Sequence, residues 1–79
     1  MNGIPSIDTP AGRVAPGTKI RITAVDASTE MFPDGIDHHA LDLVGKSGEV
    51  LFIDSSGALH GSWGSLAVLP DKDSFEILS

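Results

Sequence analysis

One stretch limits the folds open to this chain more than any other. Residues 48–70 run Gly-Glu-Val-Leu-Phe-Ile-Asp-Ser-Ser-Gly-Ala-Leu-His-Gly-Ser-Trp-Gly-Ser-Leu-Ala-Val-Leu-Pro and read as three short strands joined by two tight turns. Asp54 to Gly57 make the first turn. An aspartate side chain can bond the backbone two residues on, and a closing glycine takes positive φ without steric cost. Gly64-Ser65 make the second turn. Connections this short join antiparallel neighbours, so the stretch predicts an antiparallel sheet. In its first strand Val50 and Phe52 alternate with Leu51 and Ile53, and a strand apolar on both faces is either central or bulged. In the second, Leu59, Gly61 and Trp63 share a face opposite His60 and Ser62. Glycine inside a strand marks close approach by another group, here Phe52 or Trp63. Leu66 to Leu69 form the third strand, stopped by Pro70, which has no N–H for a ladder.

The flanks extend this pattern. Thr18 to Val25 alternates, with Ile20, Ile22 and Ala24 on one face and Lys19, Arg21 and Thr23 on the other, as expected of a half-buried antiparallel strand. Asp71 to Ser74 predicts one helical turn, and Phe75 to Leu78 a closing strand with Phe75 and Ile77 inward. Residues 1–15 have Pro5, Pro10 and only sparse apolar positions, and are expected to form a disordered or loosely draped tail. The folded domain is then residues 16–79, opening at the turn dipeptide Pro16-Gly17. Between the strands, residues 26–46 lose all period. They form a long loop with five acidic residues (Asp26, Glu30, Asp34, Asp37, Asp42) and a helical turn expected near His38 to Leu43. Structureless loops longer than about 12–15 residues are uncommon in compact domains and are often functional.

Composition narrows the partners. A chain of 79 residues allows one domain with a thin core, and without cysteine neither disulfides nor thiolate zinc can supplement it. The net charge of −6 repels phosphate backbones, which disfavours nucleic acid. No apolar run approaches the roughly 18 residues of a membrane span. The expectation is a soluble, cytoplasmic monomer with no membrane partner.

Five short strands, a long loop after the first and one helical turn before the last define an all-β class and make a small antiparallel barrel similar to the SH3-like barrels. The pattern Gly48-x-Val50-x-x-Ile53-Asp54-x-x-Gly57-x-Leu59-His60-x-x-Trp63, then Leu66 to Pro70 and Asp73-x-Phe75-x-Ile77, resembles a small bacterial and phage family catalogued only as a domain of unknown function. Its members are often carried on mobile elements. The resemblance runs from about Gly17 to Leu78 and implies a fold and a genomic setting, with no activity attached. This chain has Gly64-Ser65 where the family tends to Asp-Asn-Gly, Gly61 where a β-branched residue is usual, and a longer loop.

Each candidate site has a plain structural alternative. Trp63 would suit an aromatic ligand platform, but such platforms need several exposed aromatics and the chain has no Tyr and three Phe, so core packing is the better reading. Asp34, Asp37, His38, His39 and Asp42 include metal-capable types, yet their spacing matches no EF-hand or His-x-x-x-His helix, and no metal or cofactor is assigned. His60 and Ser62 lie on one strand side without an identified orienting acid, so no catalytic role follows. Asp54 is expected to anchor its own turn. The reading reached is a non-enzymatic protein-binding or adaptor module, its partner engaged through Met31, Phe32, Asp34, Asp37, His38 and His39. The alternative is a nucleic-acid-associated barrel using the basic pair Lys19 and Arg21. An enzyme would need a deep pocket, which barrels this small usually fill with side chains.

Overall fold

The structure is a computed structural model that describes residues 3–79. It is all-β, with strands β1 (Ile7–Thr9), β2 (Gly12–Val14), β3 (Lys19–Ala24), β4 (Ser47–Ile53), β5 (Leu59–Gly61) and β6 (Ser74–Ile77), and one short helix, α1 (His38–Leu41). Two antiparallel sheets form: the β1–β2 hairpin, and a four-stranded sheet in the order β5–β4–β3–β6. Two features differ from the five-strand expectation. The sheets do not close into a barrel, and the strand expected over Leu66 to Leu69 is a single bridge between Val68 and Leu59. Pro70 follows directly, and Lys72 and Asp73 turn back to donate to the Leu69 carbonyl at 3.0 and 2.7 Å. One turn of helical character therefore ends the segment before it can extend a ladder.

The amino-terminal segment also departs from expectation. Met1 and Asn2 lie outside the described residues, but residues 3–15 carry the β1–β2 hairpin and pack on the domain. Val14 is fully buried in the core, Ile7 packs against that core, and the Ile4 N–H donates to the Ile53 carbonyl at 2.8 Å. The hairpin turn uses Thr9 as its clasp: its hydroxyl donates to the Gly12 carbonyl at 2.7 Å and accepts from the Ala11 N–H at 3.2 Å. Where the sequence suggests a tail, Ile7 and Val14 are partners across one short hairpin. With Ile4, which also packs on the core, that apolar pair docks the segment.

The core gathers Ile20 and Ile22 of β3, Val50 and Ile53 of β4, Leu59 of β5, Val68, Trp63 and Phe75 of β6 around Val14 and Leu43. The alternation of β3 holds through Ile22 and then slips, because the register with β6 shifts between Ile22 and Ala24. Thr23 and Ala24 are both exposed as a result, and Val25 turns back toward the core. A second shift lies between Val50 and Phe52, where β4 bends from β3 to β5. This bulge resolves the doubly apolar strand: Val50 and Ile53 point in, while Leu51 and Phe52 both point out.

Trp63 is the keystone of the β5 end, only 5% exposed, with its indole N–H donating to the Leu66 carbonyl at 2.8 Å. Its ring lies over two glycines. A Cβ added at Gly61 would run into the indole ring and sit 2.6 Å from the Glu49 carbonyl oxygen, and one at Gly48 would sit 2.9 Å from the Trp63 backbone nitrogen. The glycine of β5 is thus explained by the tryptophan two residues on.

Candidate functional site: the 26–46 segment and its groove

The segment after β3 has structure of its own. Asp26 starts it with an Asx turn, its carboxylate accepting from the Ser28 N–H at 3.1 Å and hydroxyl at 2.6 Å. Ser28 then bridges Ile36, the Thr29 N–H donates to the Gly35 carbonyl at 3.0 Å, and the Asp37 N–H donates to the Ala27 carbonyl. The chain reverses over Phe32-Pro33-Asp34-Gly35, closed by the Gly35 N–H to the Phe32 carbonyl at 3.0 Å with Gly35 at φ 72°. Asp37 next caps α1, its side chain accepting from the backbone of His39 and Ala40. The helical turn expected over His38 to Leu43 is therefore present, beginning at His38. Leu43 plugs the core, and backbone bonds between Ile22 and both Gly45 and Lys46 return the chain to the sheet at 2.8 Å.

These tethers hold an apolar surface in water. Met31 is 85% exposed, and Phe32, Ile36, Leu41 and Val44 are each exposed by more than a third. Of the acidic and histidine residues expected to act together, the structure joins Asp34 to His38, at 2.7 Å between Oδ2 and Nε2. Asp37 is occupied by its cap, while His39 and Asp42 border a depression beside Trp63. Among the described residues no three His, Cys, Asp or Glu side chains gather as a metal-binding group.

The Asp34–His38 pair is exposed and titratable. Asp34 raises the pKa of His38 above 6.5, by hydrogen bond and by charge, and His38 lowers that of Asp34 below 3.8. A raised histidine contributes below its unfolded pKa and loses the contribution as pH rises through the folded value. A lowered aspartate contributes above its unfolded pKa and loses it on acidification. The tie is therefore complete between about pH 4 and 6.5 and fades on either side. The His38 ring resonances will titrate with a midpoint above 6.5, and Asp34→Asn will lower that midpoint; equal midpoints in both proteins would show that the pair does not form.

The other sequence candidates fall elsewhere. Arg21 pairs with Glu76 on the adjacent strand at 2.7 Å, and Lys19 occupies the position opposite Glu49 in the β3–β4 register. His60 stacks on Phe52, ring centroids 4.3 Å apart and nearly parallel, and its Nε2 lies 2.8 Å from Asp54 Oδ2. The other Asp54 oxygen accepts from the Ser56 hydroxyl and N–H and the Ala58 N–H, which makes Asp54 the anchor of its turn. Those bonds, Ser56 first and then His60, hold its carboxyl well below the usual range. Ser62 Oγ accepts from the Glu49 N–H at 2.9 Å, so Ser62 ties β4 to β5.

The sequence gives no local sign of a groove between the 37–46 segment and residues 63–69. One depression of about 310 Å³ lies between Asp42, Lys46 and Trp63, and a second of about 170 Å³ between Ala40, Ala67 and Asp73. Leu43 and Leu66 line both, so the two are adjacent across one apolar ridge. Its walls are set 23 residues apart, which no local spacing rule detects.

Compared with protein-family models, curated proteins and solved structures, the chain matches none. No helix among the described residues is long and apolar enough to cross a membrane.

Proposed function

We propose that this chain is a non-enzymatic protein-binding or adaptor module whose binding edge is the 26–46 segment. The supporting observation is an apolar surface, Met31, Phe32, Ile36, Leu41 and Val44, carried on a segment that its own hydrogen bonds and Leu43 hold in place. Exposed apolar side chains on a preorganised segment lower the ordering cost of association. Residues Asp34, Asp37, His38 and His39 then act in two ways: Asp34, Asp37 and His38 shape the segment, and His39 borders the groove.

The scaffold is read here as SH3-like. In support, the strands neighbour one another in the order β6–β3–β4–β5 with Val68 beyond, a meander whose last strand returns beside its first long one, and β4 bends at a bulge to serve both halves. The genomic setting implied by the sequence resemblance is a bacterial or phage mobile element. The nucleic-acid alternative has less support, because Arg21 is paired with Glu76 and Lys19 faces Glu49.

The test is affinity capture by the wild-type protein and by Met31→Ser/Phe32→Ser. Both side chains are exposed, so the variant will keep the wild-type melting curve. A protein retained by the wild type will be lost from the variant; equal retention by both would refute the proposal.

A further inference from the structure

Resting on that reading, we infer the chemical class of the partner: the groove across Leu43 and Leu66 receives an extended segment that pairs apolar side chains with a lysine or arginine. The floor is mainly apolar at the narrow end, where Val25, Ala40, Leu66, Ala67 and Leu69 line it, whereas the wide end beside Trp63 is lined chiefly by polar groups, among them His39, Asp42 and Lys46. The narrow end is bordered by three carboxylates, Asp26, Asp37 and Asp73, and by no lysine or arginine. Lys72 lies near enough to act on Asp26 by charge but does not line the groove.

All three carboxylates are held by backbone donors, Asp26 by Ser28, Asp37 by His39 and Ala40, and Asp73 by Leu69 and Asp26. A carboxylate has about four acceptor sites, so these bonds position the oxygens without exhausting them. A basic side chain suits such a site on two counts, since its methylene stem can lie on the apolar floor while its charged head meets carboxylates. At the wide end Asp42 and Lys46 oppose one another in sign, so that end selects no charge. Two molecules of net charge −6 repel, which argues against another copy of this chain as the occupant.

The experiment is a titration of the full-length ¹⁵N-labelled protein with three blocked ten-residue peptides: alternating lysine and leucine, glutamate in place of lysine, and serine in place of leucine. Trp63, the only tryptophan, borders the wide end and supplies a fluorescence readout. The lysine–leucine peptide will shift the amides of Ala40, Leu43, Leu66 and Ala67, with affinity falling at least tenfold when salt is raised from low to near-molar levels. The other two peptides will bind at least tenfold more weakly. In Asp26→Asn/Asp37→Asn, where a single carboxylate oxygen of each residue takes all of its bonds, the amide oxygen keeps those donors while the charge is removed, and affinity for the lysine–leucine peptide will fall at least tenfold. If that variant fails to fold, the salt dependence and peptide comparison in the wild type still decide.

Preferential binding of the glutamate or serine peptide at these amides would overturn the cationic assignment and leave the module reading standing. Shifts confined to another face, no shift with any peptide, or concentration-dependent broadening of the same amides in the free protein would overturn the groove assignment. The module reading itself falls only if capture is indifferent to Met31 and Phe32.

Discussion

Trp63→Ala will unfold at a temperature lower by tens of degrees. Removing a buried aromatic costs about 3–5 kcal/mol through lost transfer energy and the cavity left behind. Small domains have total stabilities at the low end of about 5–15 kcal/mol, and in a domain this size each kcal/mol moves the midpoint by about 4–8 °C. Relaxation cannot refill the space cheaply, because the ring rests on Gly48 and Gly61, which have no side chains to expand into it. The indole bond to the Leu66 carbonyl is lost as well. Thermal unfolding followed by far-ultraviolet circular dichroism checks this, and an unchanged curve would mean that the tryptophan is not part of the core.

The second large effect is the converse. Gly61→Val will destabilise the domain by about 3 kcal/mol, the upper end of the usual range for overpacking, because the new Cβ meets both the indole ring and the rigid Glu49 carbonyl. A double variant, Gly61→Val/Trp63→Leu, will lose less than the sum of its single changes, since the smaller side chain vacates the volume that valine enters. The remaining loss comes from the Glu49 carbonyl, which no change at position 63 removes. Denaturant midpoints of the four proteins measure the coupling. Strict additivity would show that Gly61 and Trp63 do not compete for the same space.

What the sequence made legible was local. The Asp54 to Gly57 turn, the burial of Trp63, the close approach at Gly61 and the helical turn at His38 each depend on residues within a few positions of one another. The doubly apolar strand at residues 50–53 announced an irregularity, but its direction depended on how β4 divides its pairing between β3 and β5. The hairpin of residues 7–14 was hidden because three-residue strands have too few positions to display a period of two. The strand expected at Leu66 to Leu69 reduced to one bridge because the chain turns at once after Leu69. The groove was least legible, since Leu43, Leu66 and Asp73 meet only through the tertiary fold. The acidic neighbours of Lys19 and Arg21 were hidden for the same reason, since Glu49 and Glu76 arrive from other strands.

A binding edge over residues 26–46, as proposed, must be preorganised on the sheet before any partner arrives. Backbone ¹⁵N relaxation of the free protein tests this most directly. Order parameters for the amides of Thr29, Gly35, Asp37 and Leu43 near about 0.85, matching those of β3 and β4, are the predicted result; values below about 0.6 across the segment would contradict it.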